Sequence, residues 1–186
     1  MLFVLYLLFI FFIDNILFIK KIIFLGKLTD SFEISRLYYS PNNDKDYSTT
    51  LPDNNKFDII GIIEIKSLGL NYPILSNYSD EFLKIAPCRI AGPSPNEVGN
   101  LCIAAHNYNN STFFSKISLL NISDIITIYD ISGNSIDYEV YENKEVNFDD
   151  LNCLSQDNVD KKELTLLTCN NSNANKRIII KAKEKE

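Results

Sequence analysis

The sequence predicts an all-β domain, a sandwich or a barrel, behind an apolar N-terminal segment. Three observations predict it. Beyond Phe57 the chain breaks into short runs rich in Ile, Val, Tyr and Leu: DIIGIIEI, LNYPILS, NLCIAAHNY, DIITIYDI, SIDYEVYENKEV, LTLLTC and RIIIKAKE. Gly, Asn and Pro punctuate these runs at close intervals, as turns between strands require. One pair, IITIYDISGNSIDYEVY, places two alternating β-branched and aromatic runs around Ser132-Gly133-Asn134 and therefore reads as a hairpin.

Two stretches depart from the strand pattern. SDEFLKIAP opens on a helix-capping Ser79, and STFFSKISLL sets Phe113, Phe114, Ile117 and Leu120 at helical spacing. Each is expected to form one or two helical turns packed on the strands. From Asp30 to Phe57 apolar periodicity is lost and Asn, Asp, Ser, Thr and Pro dominate, the composition of a linker. Upstream, Met1 to Ile19 is apolar with Asp14 as its sole charge, and Lys20 and Lys21 follow. As a helix at about 1.5 Å per residue this stretch reaches roughly 28 Å, close to the hydrocarbon thickness of a bilayer. It lacks the basic n-region and A-x-A site of a cleaved signal, so an uncleaved anchor is expected. The expected organisation is an anchor over 1–25, a linker over 26–56 and a folded domain over 57–186.

Composition removes several function classes. With Lys+Arg 18 against Asp+Glu 24 the chain is acidic, and no dense basic cluster is present to meet a row of phosphates, so nucleic acid is not an expected partner. The six glycines are scattered, without a phosphate-cradling loop. Four widely spaced cysteines (Cys88, Cys102, Cys153, Cys169) and one histidine do not make a zinc pattern, so no metal is expected. Two disulfides remain possible for an exported chain, although a domain of this size can build a core without them.

The chemistry-bearing residues sit at strand ends. Cys169 closes the run LTLLTC and faces the polar loop NNSNANK, so a nucleophile there is both held and reachable. His106 ends another strand and opens onto Asn107-Tyr-Asn-Asn-Ser. A cysteine and a histidine distant in sequence and adjacent in space suit thiol chemistry, because imidazole can hold the proton the thiolate gives up. Arg177 opens the last strand eight residues after Cys169, and a hairpin across the loop would set its guanidinium beside the sulfur, where it could stabilise an oxyanion. A core cysteine is the competing reading for Cys169 taken alone. On that reading the chain is a membrane-anchored β-domain that binds without catalysing.

Over roughly residues 58 to 186 these segments resemble the sortase family. Thr165-Leu166-Leu167-Thr168-Cys169 matches its TLxTC motif, Ile103-Ala104-Ala105-His106-Asn107 its histidine motif, and Arg177 the arginine that opens its last strand. GIIEI-KSLGLNYPILS resembles its opening strands and TFFSKISLL the segment after the histidine. Ala105 stands where glycine is usual. The resemblance implies a closed, roughly eight-stranded β-barrel with His106, Cys169 and Arg177 as catalytic residues and Ala105 and Thr168 as substrate-binding neighbours. It implies a cofactor-free cysteine transpeptidase that cleaves an LPxTG-type C-terminal sorting signal through a Cys169 thioester. The expected partners are surface proteins carrying that signal, a peptidoglycan precursor or other wall amine, and the lipid bilayer. Another Cys/His thiol peptidase or an L,D-transpeptidase-like enzyme would share the thioester, but the latter family's Ser/Thr-x-Gly-Cys context is not met by Leu-Leu-Thr-Cys169. Without an Asp-Pro lid, the chain resembles anchoring sortases more than pilin polymerases. The implied location is extracytoplasmic on a single N-terminal anchor. The charge flanks oppose that orientation, because Lys20, Lys21 and Lys27 all follow the apolar stretch. Cys102, four residues before His106, is expected in the core.

Overall fold

A computed structural model describes residues 58–157 and 160–186, together with Ile16 and Lys27. Almost all of the expected anchor and of the expected linker lies outside the described residues. Among the described residues no helix is long and apolar enough to cross a membrane.

Eight strands close into one barrel, as the family resemblance implied. They are β1 (Ile59–Ile65), β2 (Leu70–Leu75), β3 (Cys88–Ala91), β4 (Gly99–Ala104), β5 (Ile125–Asp130), β6 (Ser135–Asn147), β7 (Lys162–Cys169) and β8 (Lys176–Glu184). Around the barrel the order is β1-β2-β3-β4-β7-β8-β6-β5, which returns to β1. Closure leaves no free sheet edge, which explains why long Ile-rich runs do not expose an unpaired ladder. Most neighbours are antiparallel, but β2 with β3 and β4 with β7 run parallel, so their connections must cross an end or face of the barrel.

Period-two alternation decides what the barrel encloses. Ile63, Ile65, Leu70, Tyr72, Ile74, Leu101, Ile103, Ile126, Ile128, Tyr138, Leu164, Leu166 and Ile180 share one buried cluster. The side chains between them point outward. Two smaller clusters lie on the outer surface. One is built by the short helix α1 (Asp80–Leu83) with Leu75, Ala86 and Cys88, and the other by Val146, Cys153 and Ile179.

The hairpin forms between β5 and β6, with Gly133 in the left-handed region at φ 80. Helix α1 forms where SDEFLKIAP predicted it, and the Ser79 hydroxyl accepts a hydrogen bond from Phe82 N at 3.1 Å. The second helical expectation is only partly met. Of STFFSKISLL, Ile117–Leu119 make a single 3₁₀ turn, because Ser111 and Phe113 adopt positive φ and the chain cannot wind helically through them. Strand β3 was not anticipated. All four cysteines are free thiols, so the disulfide alternative does not arise.

Candidate active site

Strand register assembles the site. Parallel pairing aligns Ala104 of β4 with Leu167 of β7, and two residues further on the two chains reach His106 and Cys169. Antiparallel pairing then sets Cys169 directly opposite Arg177. Three residues far apart in sequence thus stand at the ends of three adjacent strands, all on the outer face, because the inward positions are taken by Leu166, Thr168, Ile178 and Ile180.

Hydrogen bonds between the two loops hold this alignment. Ala105 N donates to Leu167 O at 3.2 Å, extending the ladder one step past β4. Thr168 Oγ1 donates to Ala105 O at 2.7 Å. The Asn107 amide crosses from the histidine loop to the cysteine strand, Nδ2 donating to Cys169 O at 2.8 Å. Asn171 Nδ2 donates to Asn109 Oδ1 at 3.0 Å. Each such bond contributes on the order of 1 kcal/mol, so together they resist separation of His106 from Cys169. The loop NNSNANK is itself ordered by Asn170, whose Oδ1 accepts from Ser172 N and Asn173 N and whose Nδ2 donates to Glu145 at 2.7 Å.

The imidazole rests on a ladder of rings. His106 lies 4.8 Å from Tyr108 between ring centroids, Tyr108 lies 5.8 Å from Phe113, and Phe113 meets Tyr72 of the barrel core edge-on at 5.3 Å. Phe113 N donates to Tyr72 Oη, and Phe114 N donates to His106 O, so the positive φ of Phe113 folds the loop back under the histidine. Partial burial lowers the His106 pKa below its usual 6.5. Asp80 of α1 opposes that shift and nearby Lys84 adds to it.

Cys169 is exposed, whereas Cys88, Cys102 and Cys153 are buried. Burial pushes the Cys88 and Cys102 thiols up to about 12, and for Cys102 the neighbouring Cys153 adds to the effect. The guanidinium of Arg177 is folded onto its own loop, Nη1 donating to Ala174 O at 3.1 Å and Lys176 O at 2.9 Å. Backbone register thus sets Arg177 opposite Cys169, while its guanidinium is held by carbonyls of the loop between them.

Ala105 and Thr168 do not face the outside. They are 5% and 1% exposed, with side chains in the interior, and the Thr168 hydroxyl is used to tie β7 to β4. Alternation along each strand sends the side chains of Ala105 and Thr168 to the face opposite those of His106 and Cys169. The face beyond them is bounded instead by Leu167 and by the connection leaving β6. Asn100 secures that connection: its Nδ2 donates to Cys153 O and Ser155 O, its Oδ1 accepts from Thr165 Oγ1, and its backbone pairs with the Gln156 amide. Asn100, Asn107 and Gln156 are functional candidates that sequence reasoning missed. For Asn107 the available signal was its place beside the histidine.

Among the described residues no group of three His, Cys, Asp or Glu side chains could hold a metal ion. An open cavity of about 780 Å³ lies at the opposite end of β7 and β8, by Val98, Lys162, Lys183 and Glu184. Its walls contain no cysteine, so it is not the site of thiol chemistry.

Comparison with known proteins agrees with this fold. The sortase domain family profile matches residues 63–185. Sortase A of Bacillus anthracis is 30% identical over 116 residues, which cover 62% of this chain, and the chain spans about half, 54%, of that relative's length. A Clostridium perfringens sortase D5 transpeptidase superposes with a TM-score of 0.65 at 26% identity, covering 87% of this chain and 99% of that one. Clostridium perfringens sortase C, solved with a C-terminal cell wall sorting motif, superposes with a TM-score of 0.63 at 23% identity, covering 88% of each chain. At that identity the second structure speaks for the fold.

Proposed function

The chain belongs to the sortase family, and from that premise we propose that it is a cysteine transpeptidase acting on an LPxTG-type sorting signal, with Cys169 as nucleophile. The observation that supports this reading is the placement of His106, Cys169 and Arg177 at adjoining strand ends on one outer face, with Cys169 the exposed thiol of the four.

In the proposed reaction the Cys169 thiolate attacks the threonine carbonyl of the signal. The resulting oxyanion is met by the Arg177 guanidinium and backbone N–H groups. His106, as imidazolium, gives its proton to the departing glycine amine when the peptide bond breaks, which leaves a threonyl thioester on Cys169. An incoming amine attacks the thioester, neutral His106 accepts its proton, and Cys169 is released as the new amide forms. The cycle consumes neither water nor a redox partner and needs no cofactor. The acceptor would be a peptidoglycan precursor or another wall amine. The apolar stretch before Lys20 would serve as the anchor over 1–25 and residues 26–56 as the linker, leaving the barrel of 57–186 outside the cytoplasm.

Incubation with an LPxTG-type peptide, with and without triglycine or hydroxylamine, tests the reading. Faster turnover with added amine, and diversion of product from free acid to amide or hydroxamate, is expected. Cleavage to free acid alone at an unchanged rate, across several amines, would leave a thiol peptidase. No cleavage of any such peptide, with slow labelling of Cys169 by a methanethiosulfonate, would leave a binding domain.

A further inference from the structure

The outer face of β2, β1 and β5 is closed where the topology leaves it open. Glu64 and Ile62 of β1 pair with Asn71 and Pro73 of β2 on one side and with Thr127 and Tyr129 of β5 on the other, and all six point away from the barrel interior. Outward residues of a barrel bathed in water remain accessible, as Ser135 and Asp137 of β6 do. Ile62, however, is 0% exposed and Pro73 is buried. The two outer clusters built by α1 and by the connection after β6 contain neither residue. Asn71 Oδ1 is buried on this face with no hydrogen-bond partner.

One described side chain from before the barrel reaches the same face. Lys27 Nζ lies 3.3 Å from Glu64 Oε2 and 4.4 Å above the centre of the Tyr129 ring. Tyr129 Oη donates to the same Glu64 oxygen at 2.9 Å, which completes a cation, carboxylate and phenol cluster. The pair is sheltered, with side-chain exposures of 27% for Lys27 and 16% for Glu64. A cation over an aromatic face and against a sheltered carboxylate gains more than a freely solvated surface pair.

We propose that the chain segment around Lys27, just after the apolar N-terminal stretch, docks on the outer face of β2, β1 and β5 and braces the barrel against its own N-terminal region. The argument for this occupant is charge complementarity at Glu64, the ring contact at Tyr129, and an apolar centre at Ile62 and Pro73 that water does not reach. In the strand order β1 lies four places from β7, which is half-way round the barrel. The brace therefore holds the side opposite Cys169 and leaves the face of β4, β7 and β8 open to an incoming chain. The proposal does not rest on the chemistry assigned to Cys169.

Carbodiimide coupling of the full-length chain in detergent micelles tests it, because the reagent condenses an amine and a carboxylate already in contact, with loss of water. Peptide mapping by mass spectrometry should find Lys27 joined to Glu64, at a yield comparable with the surface pair Lys162 and Glu184, which stand 2.8 Å apart and report that the reaction worked. Glu64→Gln should abolish the Lys27 link and leave the other. Lys27→Glu should lower the thermal midpoint of the full-length chain, and adding Glu64→Lys should restore it. A strong Lys162–Glu184 link without any Lys27–Glu64 link would overturn the proposal. So would a Lys27→Glu chain that melts like the parent.

Discussion

Two cysteines on one face of the barrel have opposite environments. Cys102 lies within β4 and Cys169 at the end of the neighbouring β7, and both point outward. Above Cys102 the connection after β6 is fastened down by Asn100 and Gln156, and the Gln156 amide comes within 4.0 Å of the Cys102 sulfur. Above Cys169 that cover has ended. The difference lies in what has been laid over each strand, since both thiols belong to the same type of outward strand position. Exposure of a thiol on this face is set by where the cover stops.

The largest break in that comparison is Cys169→Ala. Turnover and thioester formation should fall to background, because no other described thiol is exposed. The fold should persist, since the side chain fills no core. Equal loss of the circular dichroism signal and of activity would show that Cys169 is a packing residue after all.

Arg177→Lys probes the open end next. The fork of Arg177 is already turned by two loop carbonyls, and a lysine cannot satisfy those carbonyls and still present a second planar donor. Loss of one oxyanion donor costs on the order of 10² to 10³ in kcat. A rate within a few-fold of the parent would reduce its part to net charge.

Asn107 sharpens the comparison, because its amide joins the histidine loop to the cysteine strand without touching substrate in the proposed reaction. Asn107→Asp keeps the shape, removes the donor and sets a carboxylate against the Cys169 carbonyl. A misplaced pair should cost roughly 10 to 10² in kcat, with KM changed little. The new carboxylate should also raise the His106 pKa. The limb of the pH–rate profile that belongs to His106, expected below 6.5 because burial disfavours the imidazolium, should therefore move to higher pH. A rate within a few-fold of the parent would show that the Asn107 bridge does not position the pair.

How much of this was legible beforehand follows from the kind of signal each feature leaves. His106, Cys169 and Arg177 were legible because each sits at the junction of an apolar run and a polar loop, and because their motifs are local. Strand β3 was not, since four residues between Pro87 and Gly92 are too few to display alternation. The parallel pairing of β4 with β7, which brings His106 to Cys169, is a long-range fact with no local trace. That the side chains of Ala105 and Thr168 face inward was not legible from their place beside His106 and Cys169, because alternation separates neighbours on a strand.

At the covered end, Asn100→Ala should affect stability more than chemistry. It removes the nearer partner of Thr165 Oγ1 and the Asn100 amide donor to the Cys153 and Ser155 carbonyls at a site that is 1% exposed. A buried polar group left unpaired costs about 1 to 3 kcal/mol. Denaturant unfolding should report a loss of that order, with kcat within roughly 10-fold of the parent once the protein is folded. A larger catalytic loss with no loss of stability would place Asn100 in the reaction.

The smallest effect is expected at Cys102. Replacing it by alanine deletes one sulfur from a closed site, and its Sγ makes weak contacts, to Asn100 O at 3.4 Å and from the Gln156 amide at 4.0 Å, so the stability cost should be about 1 kcal/mol and turnover should not change. Its signature is in alkali. Burial raises the Cys102 pKa from 9.0 to about 12, so above pH 9 the unfolded chain loses this proton while the folded chain keeps it. The stability it contributes is complete below pH 9 and is lost as pH rises toward about 12. In Cys102→Ala the alkaline decline of unfolding free energy should be shallower than in the parent. A methanethiosulfonate should label Cys169 in the native protein long before Cys102, whose modification must wait for the cover to open. Equal labelling rates, or an alkaline limb unchanged by Cys102→Ala, would mean that the connection after β6 does not seal this end, and the contrast between the two thiols would need another cause.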